Sequence, residues 1–165
     1  MATCFIPARE GLHTSSDESY VRQALEIAEQ AADNGNIPFG SLLVVDEVIA
    51  TAENTSLDDD VTAHPEFKLA GRARRELDED ERADCTMYTS TEPCAMCAGA
   101  IYYAGLDRVV FSASGESFAE ETGFPGIDIS CGEIFERADD PAPTADGPVL
   151  ESEGMDVHRE FDYSW

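Results

Sequence analysis

Two cysteines three positions apart, Cys94 and Cys97, open the apolar run PCAMCAGAIYYAG, and upstream of them TAHPEFKLA sets His64 two positions before Glu66. A CxxC pair at a helix start suits three chemistries. The helix dipole can stabilise a thiolate for redox exchange, both sulfurs on one face can reach a single ion at about 2.3 Å, or the two thiols are simply buried. The cysteines alone leave these open. His64 adds a nitrogen ligand, and one nitrogen with two sulfurs leaves a tetrahedral zinc one open position, which marks a catalytic rather than a closed structural site. Zinc lowers the pKa of a water there from about 15.7 towards about 7. Glu66, not itself a ligand, is placed to take a proton and pass it on. The competing reading is a structural zinc clamp in a binding module. That needs a fourth ligand, for which Cys85 is the near candidate, while redox exchange uses neither His64 nor Glu66.

These residues need elements to position them. SSDESYVRQALEIAEQAADNG carries Val21, Ala24, Leu25, Ala28 and Ala31 at helical spacing, with a Ser15 to Glu18 capping box and Gly35 as a stop. SLLVV and VIATAEN are β-rich runs separated by Asp46 and Glu47, which predicts a hairpin, and Thr55 to Thr62 is a polar loop. From Pro65, suited to a first helical turn, a helix is expected with Phe67, Leu69, Ala70, Ala73 and Leu77 on its apolar face; Gly71 weakens it by about 1 kcal/mol. CTMYTS at 85–90 predicts a strand, Cys94 to Ala104 a helix ending near Gly105, and DRVVFSA a further strand. The last units form β-α-β, whose right-handed crossover makes part of the sheet parallel. Beyond Gly115 the pattern weakens: ADDPAPTADGP at 138–148 reads as a surface loop, and VLESEGMDVHREFDYSW as a short strand followed by an aromatic-rich segment. There is no internal repeat, so the expectation is one domain over 1–165, best defined over about 17–112 and less so over 113–165.

Charge narrows the setting. The chain has 35 acidic and 10 basic residues, Lys68 being the one lysine, for a formal charge of -25. Such a surface repels itself in dilute salt, where the Debye length is about 8 Å, and is relieved at 1 M, where it is about 3 Å. A cytoplasm rich in salt is therefore expected. No apolar run approaches a membrane span, and MATCFIPARE lacks the regions of a signal peptide. Five cysteines, Cys4, Cys85, Cys94, Cys97 and Cys131, are an odd number without an export signal, which favours metal binding or burial over disulfides. The shortage of basic residues argues for a small-molecule substrate over a nucleic acid, though less strongly in molar salt.

His64-Pro65-Glu66, followed by Pro93-Cys94-Ala95-Met96-Cys97, resembles the zinc-dependent nucleobase and nucleoside deaminases of the cytidine deaminase superfamily. PFGSLLVV, VIATAENTS and TMYTSTEPCAMCAGAIYYAGLDRVVFSA look most like its branch of guanine deaminases and tRNA adenosine deaminases. The resemblance covers roughly residues 17–112. It implies an α/β fold, a three-layer α/β/α sandwich on a mixed sheet of about five strands, in a homodimer. It also implies one Zn2+ per chain held by His64, Cys94 and Cys97, with Glu66 shuttling protons. Asn54 would hydrogen-bond the substrate, Phe39 would stack on the base, and the backbone carbonyl of Glu92 would accept from the leaving amine. The implied reaction is hydrolytic deamination of a free base or nucleoside, guanine favoured, with tRNA adenosine or cytosine as alternatives. One departure is Pro65, where alanine is common in this branch; at a first helical position proline loses no hydrogen bond. In the guanine deaminases an acidic residue beyond the cysteine helix and a C-terminal cover are expected; here Asp128 is out of register, and FDYSW is the candidate aromatic lid. Simpler readings stand beside these: Asn54 as a strand end, Phe39 and Cys85 as core, Cys4 and Cys131 without a partner pattern, His13 and His158 as solvated surface. Arg72, Arg74 and Arg75 read as a salt-bridged helix face.

Overall fold

The first expected helix forms as α1 (Ser15–Asp33), and Val21, Ala24, Leu25, Ala28 and Ala31 are all buried. It stops where expected: Gly35 sits at φ 83°, its N–H bonded to Ala32 O, and the Asn36 N–H reaches Ala31 O, satisfying the last carbonyls. The computed structural model describes residues 15–164, the Ser15 side chain excepted. The readings of Cys4, His13, the Ser15 cap and Trp165 lie outside the described residues.

The hairpin is β1 (Gly40–Val44) and β2 (Val48–Glu53), paired antiparallel with an irregularity between Leu43 and Val44. β1 also pairs antiparallel with β3 (Thr86–Thr91), and β3 pairs parallel with β4 (Arg108–Ala113), as the β-α-β reading requires. A short β5 (Thr144–Asp146) adds to β4 in parallel, giving a mixed five-stranded sheet in the order β2-β1-β3-β4-β5.

Alternation along the strands sorts the core into two layers. Leu43, Met87, Val109 and Phe111 point to one face, where they meet Leu69, Ala70 and Ala73 of α2 (Pro65–Glu76) and Ala98 and Ile101 of α4 (Ala95–Ala104). Cys131 and Phe135 of α6 (Cys131–Glu136) close the same layer. Leu42, Val44, Tyr88 and Val110 point to the other face, against α1 and Val157 of α7 (Glu151–Arg159). This is the expected α/β/α sandwich. Two further short helices are α3 (Glu79–Ala83), with an Asp78–Glu81 capping box, and α5 (Gly115–Thr122), capped by Ser114 and packed on α7.

Gly40 carries a demand of its own. A Cβ there would lie 2.4 Å from Ala28 N and 2.5 Å from Ala24 O, so β1 crosses the α1 backbone at a distance that admits no side chain.

Four expectations are corrected. Phe67 is 38% exposed, because it lies two residues, about 200° of helix, from Leu69 at the centre of the buried face. The stretch 138–148 is not all loop: residues 144–146 are strand β5, formed against the outer edge of β4, and the Arg108 guanidinium reaches Asp146 at 2.6 Å across that pairing. The tail is a helix, α7, rather than a strand, with Gly154, Met155 and His158 forming its buried stripe. His158 is accordingly 1% exposed and not a solvated surface residue.

Candidate active site

Both halves of the proposed metal site fall at helix N-termini on the same sheet face. His64 is the residue before α2, in extended conformation (φ -73°, ψ 143°), and makes no capping bond to its own helix. Pro65 then occupies the first helical position, where its missing N–H costs nothing. Cys94 holds the equivalent place before α4, also extended (φ -65°, ψ 170°), and Cys97 follows within the first turn. α2 and α4 pack side by side on the sheet, bringing the two starts together.

The His64 Nδ1 atom lies 3.9 Å from Cys94 Sγ and 3.7 Å from Cys97 Sγ, and all three ligand atoms fall within 4.8 Å of one another. Tetrahedral zinc with Zn–S near 2.3 Å and Zn–N near 2.05 Å separates nitrogen and sulfur by about 3.6 Å. The donor set and its spacing therefore fit zinc. No other such cluster occurs among the described residues. Cys85, the candidate fourth ligand of a structural clamp, is buried in the core and not part of it. The Cys97 thiol hydrogen-bonded to Cys94, and next His64 beside it, pull the Cys94 thiol down to about 4, against the effect of burial.

Glu66, one residue into α2 beyond Pro65, is 4% exposed and ends against this cluster, its Oε2 3.7 Å from Cys97 Sγ. Burial raises its carboxyl above the ordinary range, opposed by the hydrogen bond from Thr89. That bond is short: Thr89 Oγ1 donates to Glu66 Oε1 at 2.6 Å, and Ser41 Oγ lies 3.0 Å behind Thr89. Ser41, Thr89 and Glu66 thus form a buried polar file from β1 through β3 to the Glu66 carboxyl. The sequence reading missed Thr89 and Ser41. For Thr89 the available signal was a hydroxyl in the C-terminal half of a strand in an α/β sheet, towards the end where ligand sites gather; Ser41, at the start of β1, carries no such signal.

In front of the cluster opens a cleft of about 800 Å3. His64, Glu66, Cys94 and Phe39 line it on the metal side, and Phe118, Phe124 and the segment 125–130 form the far side. Phe39 is half-buried, 6.0 Å from the His64 ring and 5.5 Å from Phe118 between ring centres, so it stands where a planar ligand near the metal would meet it. Glu92 also lines the cleft, immediately before Pro93 and Cys94. Asn54 is placed differently. It is fully buried at the end of β2, with its amide donating to Ile37 O and Ser56 Oγ and its oxygen accepting from Ser56 N. It is not among the residues lining the cleft. Asp128 lies on the cleft rim, exposed. Of the FDYSW tail, Tyr163 packs inward: its hydroxyl is 2.8 Å from His158 Nδ1, and its ring lies 5.9 Å from Phe118 and 6.1 Å from Phe124. The other nitrogen of His158 bonds Thr91 at 2.7 Å. No helix among the described residues is long and apolar enough to cross a membrane.

Comparison with known proteins agrees with this geometry. Residues 14–113 match the cytidine and deoxycytidylate deaminase zinc-binding region. A probable cytosine deaminase of Schizosaccharomyces pombe is 38% identical over 157 residues, spanning 90% of this chain and 93% of its own length. The guanine deaminase of Bacillus subtilis is 37% identical over 128 residues, 76% of this chain and 78% of its own. Among solved structures, guanine deaminase from Nitrosomonas europaea superposes with a TM-score of 0.73 over 87% of this chain and 82% of that one, at 24% identity, a likeness of fold.

Proposed function

Because the chain belongs to the cytidine and deoxycytidylate deaminase zinc-binding family and is a zinc-dependent hydrolytic base deaminase, we propose that its substrate is a free nucleobase, guanine foremost. In this reading His64, Cys94 and Cys97 hold the ion, which when bound supplies Lewis acidity and an activated water at neutral pH. Glu66 takes a proton from the water whose oxygen bonds to the amine-bearing carbon and delivers it to the ring nitrogen; it then carries the second proton, from the hydroxyl so formed, to the amine, so that the C–N bond breaks, ammonia leaves and a carbonyl remains. Phe39 stacks on the base, and the backbone carbonyl of Glu92 accepts from the amine. Asn54, buried behind the cleft, fixes the adjoining loop through Ile37 and Ser56.

The observation that carries the substrate class is the charge of the cleft. Glu116, Glu120, Asp128 and Glu133 stand on its exposed side, and its described lining holds no lysine or arginine. A phosphate would meet repulsion without a counter-charge, which disfavours nucleotides and tRNA. The 2-amino group of guanine, as the leaving group, faces the metal side, and the ring N–H groups remain as donors to a carboxylate of the opposite wall. Cytosine is the second reading, favoured by the 38% identity that extends over 93% of the probable cytosine deaminase. Ammonia release at molar KCl, measured over guanine, cytosine, adenine, their nucleosides and an anticodon stem-loop, tests both. Guanine should give the highest kcat/KM; turnover of the stem-loop with no free base turned over would overthrow the reading.

The same reading places the enzyme as a homodimer in a salt-rich cytoplasm. Its support is α4, which bears no charged residue in a chain of net charge -25 and leaves Tyr103 81% exposed.

A further inference from the structure

The Glu92 side chain has a place of its own, apart from the backbone carbonyl beside it. Its backbone N–H extends the β3–β4 pairing by bonding Ala113 O at 2.8 Å, which fixes the residue between the last position of β3 and the ligand Cys94. From there the carboxylate spans two other elements. Oε2 accepts from the Gly115 N–H at 2.9 Å, and Oε1 accepts from the Cys131 N–H at 2.9 Å.

Gly115 and Cys131 are the first residues of α5 and α6. Each helix begins with donors that its own turns cannot satisfy. Ser114 serves the N–H of Ser117, and Ser130 serves that of Glu133. The N–H of each first residue is left to Glu92. A carboxylate has two acceptor oxygens, and so suits two helix N-termini at once. A Cβ on Gly115 would lie 3.3 Å from Oε2, so the bare glycine backbone permits the approach.

α5 and α6 carry the substrate side of the cleft, including Glu116, Phe118 and Glu133, and the segment joining them carries Asp128. We propose that Glu92 is a positioning residue whose carboxylate holds the starts of α5 and α6 against the metal-binding turn, setting the wall that recognises the base. This rests on the reading of the cleft as the base site. It assigns to Glu92 control of substrate affinity and discrimination, with the metal chemistry left to His64, Cys94, Cys97 and Glu66.

The test is Glu92→Gln, which preserves shape but turns one oxygen into a donor facing another donor. Hydrogen exchange, resolved by residue, should quicken at least tenfold at the Gly115 or Cys131 amide and stay unchanged at Tyr88 in β3. KM for the preferred base should rise tenfold or more, kcat should fall less than threefold, and zinc should remain at one per chain; loss confined to KM is the mark of binding common to ground and transition states. Glu92→Asp keeps the charge on a stem too short to span both amides, and should protect only one of them with an intermediate KM. Exchange and KM within twofold of wild type in either variant would overturn the proposal, as would a fall in kcat and zinc content at constant KM. A wild type that releases ammonia from no base would instead defeat the functional reading, and the exchange measurement would still decide the clamp.

Discussion

Replacing Thr89 by valine keeps nearly the same volume but removes the hydroxyl behind Glu66, a hydroxyl that also accepts from Ser41 Oγ and lies 3.1 Å from Thr91 O. Thr89 is fully buried, its Oγ1 donates to Glu66 Oε1 at 2.6 Å, and Ser41 Oγ lies 3.0 Å from it. A hydrogen bond to a charged group contributes about 1.5–3 kcal/mol. Glu66 is itself only 4% exposed, so water does not replace the lost partner. At about 1.36 kcal/mol per decade, the carboxylate should lose roughly ten- to a hundredfold of its ability to act, read as kcat/KM. The Glu66 carboxyl, already raised by burial, should drift higher once the bond that lowers it is gone. Steady-state ammonia release together with zinc content is the assay. Thr89→Ser, which restores the donor, should stay within about threefold of wild type. A Thr89→Val enzyme with the wild-type rate would refute the reasoning, and so would an equal loss in both variants, which would trace the effect to packing.

Glu66→Gln should lower turnover by about 10²–10⁴, the range of general acid–base catalysis, while zinc stays bound; near-normal rates would remove Glu66 from its role. Burial pushes the His158 imidazole down to about 4, so the folded chain resists the proton that the unfolded chain accepts near 6.5. Its stabilising effect is complete above the unfolded value and is lost as pH falls from about 6.5 towards 4, at about 2 kcal/mol between pH 7 and 5. Urea titrations should show Glu- and Asp-independent relief of that loss in His158→Gln, with identical pH slopes counting against it. Melting curves should move upward from dilute to molar KCl as the charge of -25 is screened, and sedimentation in molar KCl should give twice 17.9 kDa; a flat melting response would end the halophilic reading and a monomer the dimer.

The metal site was legible because each half is a short contiguous motif placed at a helix start, so local spacing already fixes the direction of the ligands. The hairpin and the β-α-β unit were legible for a similar reason, since each strand is a contiguous β-rich run of five or six residues. Thr89 was not, because its meaning depends on Glu66, which is 23 positions away and reached only when α2 lies on β3. His158 was misread among charged neighbours, since what surrounds it is distant in sequence: the rings of Phe39 and Phe118, 119 and 40 positions away, and the Thr91 hydroxyl, 67 positions away. β5 has three residues with Pro141, Pro143 and Pro148 nearby, and exists because β4 offers it an edge. In Glu92 the backbone role was inferred from resemblance, whereas the reach of the carboxylate to Gly115 and Cys131 spans 23 and 39 positions and leaves no local trace.

The placement of the ligands on α2 and α4 also bears on the connectivity of the chain. A bond through one ion from His64 to Cys94 encircles 30 positions, and the enclosed segment contains α3 and β3, a strand inside the sheet. By the chain-entropy relation used for disulfides, closing a loop of that length withdraws about 3.6 kcal/mol of freedom from the unfolded state. An ion held by His64 and Cys94 would then be a fastener as well as a reagent, closing a ring that contains an inner strand of the sheet, so its removal would loosen the fold along with the chemistry.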